Sequence, residues 1–273
     1  MIDSVREGPA SPDVVRQWPS WRSWLGSGAA REIVFVLMLY GVYSLARLAA
    51  QGDFGVATST ATDIHRFEQW LGIDIEQSWN RWAVDTPGVA FATALWYATW
   101  HFVATIGVLV VLWTRHRSLY RPLFVALAGT TLTALVMFIV LPTAPPRLMR
   151  GFVDVLEETG RMGFWDRGPQ GADGLSSTTN ELAAFPSLHA GWSLWVALAV
   201  CIMTRRLWLR VVAVSYALIT GVVVILTANH WVIDIWAGWA ITGVWVVVAM
   251  GLYRRRGATD TAGASLVPAA VTA

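Results

Sequence analysis

Two histidines and an aspartate stand where long apolar runs begin. His189 lies in Phe185-Pro186-Ser187-Leu188-His189-Ala190-Gly191, and His230 and Asp234 lie in Asn229-His230-Trp231-Val232-Ile233-Asp234. Ionisable groups are costly in hydrocarbon, so those found there usually line a cavity or take part in chemistry. His230 and Asp234 are four apart, which in a helix places them on one face within reach of each other. A carboxylate bonded to one imidazole nitrogen fixes the tautomer and leaves the other nitrogen as nucleophile or base. His189, from another helix, can supply the proton that a departing alkoxide needs. Helices starting at 187 and 231 turn their positive dipole ends and unsatisfied N–H groups toward one pocket, a setting that favours an anion such as phosphate. Arg147, at the end of Leu141-Pro142-Thr143-Ala144-Pro145-Pro146-Arg147, adds the planar, permanently charged fork that phosphoryl oxygens prefer. Ser187 is placed to donate a hydroxyl or to cap its helix. Asn229, beside His230, and Tyr97 and His101, four apart on another apolar run, are further candidate substrate contacts; His101 taken alone reads equally as a packing group.

The elements that must hold these groups are helices in a membrane. The chain has 273 residues, of which 55% are hydrophobic and 14% charged. With a mean hydropathy of +0.50 it falls outside the range of soluble globular domains. A spanning helix needs about 20 mainly apolar residues. Such stretches occur at 32–50, 88–113, 122–141, 187–203, 208–227 and 231–253. The expected fold is therefore all-α: a polytopic bundle of about six transmembrane helices. Its domains would be a cytoplasmic segment at 1–30, the membrane domain at 31–253 and a disordered cytoplasmic tail at 254–273. Many of the seventeen tryptophans, Trp113, Trp208 and Trp231 among them, fall at span ends, as in an interfacial aromatic belt.

Net charge is only +2, so the positions of the arginines matter more than their total. Arg16, Arg22 and Arg31 precede the first span, and Arg115, Arg117 and Arg121 separate the second from the third. Arg205, Arg206 and Arg210 separate the fourth from the fifth, and Arg254, Arg255 and Arg256 follow the last. Every second connection is basic, which by the positive-inside rule puts both termini in the cytoplasm and the candidate site on the extracytoplasmic side of a cell membrane. Nothing in this pattern calls for nucleic acid. The first thirty residues do not read as a cleavable signal. Cys201 is the only cysteine, so neither an internal disulfide nor a thiolate metal site can form. Residues 63–82 carry Ile64, Phe67, Trp70 and Leu71 at helical spacing with polar residues between them. The expectation is an amphipathic helix on the outer surface, serving either lipid access or, equally, as a packing helix that caps the bundle. The loop between Arg147 and Ala184, roughly 40 residues, has a length typical of functional or disordered loops.

Pro186-Ser187-Leu188-His189 and His230–Asp234 resemble the second and third motifs of the type 2 phosphatidic acid phosphatase superfamily, Pro-Ser-Gly-His and a His-x-x-x-Asp ending. Phe185-Pro186-Ser187-Leu188-His189 and the Pro-x-Ala-Pro-Pro stretch from Pro142 are closer to its inositol-phosphotransferase branch, which includes inositol phosphorylceramide synthase. The resemblance covers about Phe91 to Gly238. It implies a six-helix membrane bundle that works without a metal or other cofactor. In that scheme His230 attacks phosphorus to form a phosphohistidine, Asp234 orients it, and His189 protonates the leaving group. Water or another hydroxyl then takes the phosphoryl group.

Two departures bear on the substrate. The superfamily's first motif opens with lysine, and this chain has none. The Ser-Arg that usually begins the third motif is replaced by Val223 and Val224. Arg121-Pro122 resembles the first motif's Arg-Pro, but the expected topology puts it on the cytoplasmic side, leaving Arg147 as the clamp. A phosphomonoester carries nearly two charges and a diester one. A site with few cations suits the diester, so the expected reaction moves a phosphorylated head group, inositol phosphate in the branch named, from a phospholipid to an alcohol acceptor. Hydrolysis of a lipid phosphomonoester is the alternative. Two others use the same residues differently: a metal held by His189, His230 and Asp234, or a transporter or scaffold whose ionisable groups line a conduit.

Overall fold

The computed structural model describes residue 41 and residues 53–161 and 182–264. All but residue 41 lie in the unit Tyr43–Ala273, and the fold below is that of this unit. The expected first span, 32–50, and the middle of the long loop lie outside the described residues.

Asp53 starts α1 (Phe54–Leu71) by accepting the amide of Val56, and Gly72 ends it at φ +69°, a left-handed conformation that suits glycine. That turn breaks the amphipathic helix expected over 63–82. The chain resumes as α2 (Glu76–Val84). The polarity also differs from expectation. Phe67, Trp70 and Leu71 are exposed, whereas Glu68, Glu76 and Asn80 are wholly buried. Both helices thus bury polar groups, α1 beside the small apolar residues Ala57 and Ala61, and turn aromatic side chains outward.

Pro87 opens α3 (Pro87–Arg115), and a single residue, His116, separates it from α4 (Arg117–Val140). α4 stops at Leu141-Pro142, as the proline predicts. A 3-10 turn (Pro146–Leu148) and α5 (Val155–Arg161) follow. The chain then enters α6 (Leu188–Met203), α7 (Leu207–Leu226) and α8 (Val232–Ala264). Helices α3, α4, α7 and the Val232–Arg255 part of α8 are long and apolar enough to cross a bilayer. α6 has 16 residues, about 24 Å of helix, short of the roughly 30 Å of a hydrocarbon core.

α6 lies at the centre, packed against α3, α4, α7 and α8. It runs parallel to α8 at close range. Small residues face each other there: the Thr242 hydroxyl donates to the Gly191 carbonyl at 3.1 Å, and a Cβ on Gly238 would collide with the Ser187 carbonyl. Apolar side chains on the outer faces, such as Val103, Ile106, Val136, Val211 and Val247, are exposed, as lipid contact requires. These features make the chain an all-α membrane protein. Trp208 is exposed as a belt residue would be, but Trp231 is not. It is buried, with its indole N–H donating to the Ala144 carbonyl at 3.0 Å.

Candidate active site

The starts of α6 and α8 and the end of α4 meet at one end of the bundle. Two backbone links tie the proline-rich stretch to the segment before α6. Thr143 N donates to Leu182 O at 2.8 Å, and Ala184 N donates to Thr143 O at 3.1 Å. A third link joins the two helices: Ser187 N donates to Asp234 O at 2.9 Å. The short α6–α7 and α7–α8 connections return the chain, so Arg115, Arg117, Arg205 and Arg206 collect at the far end. Arg121 is there too, separated from the site by the length of α4, on the order of 30 Å.

His230 is buried, and its Nδ1 lies 2.9 Å from the Ala184 carbonyl oxygen and 3.4 Å from Asp234 Oδ2. Both acceptors call for a proton on Nδ1, which puts the lone pair on Nε2. Asp234 Oδ2 also accepts the amide of Trp231 at 2.8 Å. The expected His230–Asp234 pair is thus present, but a carbonyl shares its role. The His189 and His230 rings are 5.9 Å apart between centroids. Tyr97 stacks on His189 at 4.1 Å, and His101 meets it edge-on at 4.1 Å. His101, readable as mere packing, therefore buttresses His189.

Ser187 accepts the amide of Ala190 at 3.2 Å and so caps α6. Arg147 is held by its neighbours: Nε donates to Asn229 Oδ1 at 3.0 Å, and Nη1 faces Asp154 Oδ2 at 3.5 Å. Its own amide donates to the Ala228 carbonyl at 2.8 Å. Arg147 and Asn229 thus sit together beside His230. Val223 and Val224, where the superfamily usually has Ser-Arg, are buried, and the Val224 carbonyl accepts the amides of Asn229 and His230.

One expectation fails. The N-terminus of α8 does not offer open N–H groups to an anion, because carboxylates occupy them. Trp231 N is taken by Asp234, Val232 N by Glu76 Oε1 at 3.0 Å, and Ile233 N by Glu68 Oε1 at 2.8 Å. Only the α6 end remains for that role. The metal alternative is not assembled either. Among the described residues, the His, Cys, Asp or Glu donors that converge tightly enough are His65, Glu68 and Glu76, not His189, His230 and Asp234.

Sequence reasoning missed Ala184, Glu68, Glu76 and Asn80. Asn80 Nδ2 donates to the carbonyls of Val153 and Leu226 at 3.0 and 3.1 Å, and its Oδ1 accepts Val153 N at 2.9 Å, stapling α2 to the loop and to the end of α7. No local pattern marks these residues. The partners that give them these roles lie 46 or more positions away.

No curated protein and no solved structure matches the chain. A family profile described as the PAP2 superfamily matches residues 62–248, well over half of the sequence and all of the site. The chain thus belongs to the PAP2 superfamily, that of type 2 phosphatidic acid phosphatases, and has the lipid phosphatase or phosphotransferase type of function that this membership carries.

Proposed function

We propose that the chain transfers a phosphorylated head group from a phospholipid to an alcohol acceptor through a phosphohistidine on His230, with the site on the extracytoplasmic side. The observation that carries this reading is the held imidazole: Nδ1 bonded to the Ala184 carbonyl and beside Asp234, with His189 5.9 Å away. His230 Nε2 forms a bond to phosphorus as the bond to the leaving oxygen breaks, and His189 gives that oxygen its proton. In the second half, His189 takes the acceptor's hydroxyl proton while the acceptor oxygen attacks phosphorus and the N–P bond breaks. Asp234 offsets the positive charge on the phosphorylated imidazole. No metal acts at phosphorus in this scheme. Arg147 and Asn229 hold the phosphoryl oxygens, and Ser187, Tyr97 and His101 shape the pocket around His189.

A preference for a diester finds support in Arg147, whose charge Asp154 already faces at 3.5 Å. A singly charged phosphate suits such a site better than a doubly charged one. Inositol phosphate as the head group rests on the motif resemblance alone. The test is lipid mass spectrometry after pure protein meets candidate phospholipids and alcohols, beside a His230→Ala control. An exchanged head group supports the transferase. Phosphate release from lipid phosphomonoesters with no use of any alcohol would replace it with the phosphatase reading.

A further inference from the structure

Behind the His230 end of α8, the helices α1 and α2 bring together three groups that the reaction does not use. His65 and Glu68 are three apart on α1, hence on one face, and the turn at Gly72 returns Glu76 of α2 to the same place. Both glutamates are wholly buried. One oxygen of each is committed to an α8 amide, Glu68 Oε1 to Ile233 and Glu76 Oε1 to Val232. The other oxygens, and Nδ1 of His65, are buried and have no hydrogen-bond partner among the described residues. One donor atom from each of the three residues lies within 4.8 Å of the others.

Two buried acids and an imidazole this close together leave an electrostatic deficit when both acids are charged. Keeping both buried acids charged without a counter-ion is costly. A divalent ion removes that cost, since two carboxylates and one M²⁺ sum to zero. We propose that His65 Nδ1, Glu68 Oε2 and Glu76 Oε2 bind a divalent transition-metal ion of the zinc or manganese kind. One imidazole and two carboxylates form a donor set suited to such ions rather than to calcium or magnesium, whose ligands are oxygen alone. Metal–ligand distances of about 2.0–2.2 Å would draw the donor atoms of a tetrahedral site to about 3.3–3.6 Å from one another.

The surroundings fit. His65 Nε2 is 3.1 Å from the Gln69 side-chain amide, whose two ends can exchange so that the oxygen accepts Nε2–H. That bond would fix the tautomer with Nδ1 toward the ion, the usual outer support of a metal-bound histidine. Each glutamate then bridges the ion and an α8 amide, so the ion clamps α1 and α2 to the turn that carries His230. It acts as a structural site, and its existence does not depend on the phosphohistidine reading.

The test loads tag-free full-length protein in detergent with Zn²⁺ or Mn²⁺, desalts it and counts bound metal by elemental mass spectrometry. The expected result is about one ion per chain, a thermal midpoint that falls on chelation, and recovery with the metal alone. Glu68→Gln keeps the Oε1 acceptor for Ile233 but removes the ligand charge, and His65→Ala leaves both helix caps untouched. Each variant should lose the ion and the metal-dependent gain in midpoint. Wild-type protein that retains no ion, or a Glu68→Gln variant that binds it as well as wild type, would overturn the site. Absence of metal together with a Glu68→Gln variant at least as stable as wild type would assign the pair to a shared proton instead.

Discussion

The carbonyl oxygen of Ala184 stands 2.9 Å from Nδ1 of His230, closer than the carboxylate of Asp234 at 3.4 Å. The imidazole is therefore oriented by backbone from the segment that leads into His189. Because Ala184 N is itself bonded to Thr143 O, the proline-rich stretch, the α6 entry and the α8 entry form one rigid frame around the ring.

If Nε2 of His230 is the nucleophile, His230→Ala removes the covalent step. Activity should fall by about 10⁴-fold or more. Acid-labile labelled phosphate, trapped on wild-type protein from a labelled donor, should be absent. A trapped adduct of undiminished yield on the variant would rule out this residue.

Asp234→Asn keeps an acceptor for the Trp231 amide but loses the negative charge. Since the Ala184 carbonyl still holds Nδ1–H, the loss should be smaller than for His230→Ala, roughly 10²-fold. It should fall on the rate of adduct formation, which quench-flow measures, rather than on apparent substrate affinity.

Arg147→Lys preserves charge and loses the fork whose Nε reaches Asn229. The expected outcome is a rise in KM of roughly 10- to 100-fold, the worth of a hydrogen bond to a charged group. A KM unchanged in steady-state assays with the same donor lipid would remove Arg147 from the clamp.

Gly238→Ala tests the α6–α8 contact. The new methyl would meet the backbone carbonyl of Ser187, which cannot swing aside as a flexible side chain could. A destabilisation of about 1–3 kcal/mol is expected from overpacking. It should appear as a lower thermal midpoint in detergent together with lost activity, because the same contact sets the distance between His189 and His230.

Asn80→Ala strips hydrogen bonds from both backbone groups of Val153 and from the Leu226 carbonyl. Leaving buried backbone groups unpaired costs about 1–3 kcal/mol each at most. The variant should therefore unfold at clearly lower temperature in a thermal melt, although Asn80 touches none of the reacting groups.

The membrane character, the helix starts at Pro186-Ser187 and near Trp231, the stop at Leu141-Pro142 and the His230–Asp234 pairing were readable from the chain alone. Each rests on an interaction a few residues long: hydropathy over a span, a proline's missing N–H, or i,i+4 spacing. The break at Gly72 was local too, but the apolar stripe across it suggested one continuous helix. The face that packs proved to carry Glu68 together with Ala57, Ala61 and Ile64, while Phe67, Trp70 and Leu71 are exposed.

What only the tertiary structure decided is who satisfies whom at the meeting point. Glu68 caps Ile233 across 165 positions, Glu76 caps Val232 across 156, and the Ala184 carbonyl holds His230 across 46. A buried amide or imidazole must find a partner, yet the requirement does not say which distant acceptor answers it. That choice is made when the helices pack. It turned an α8 terminus that looked open to phosphate into one closed by carboxylates.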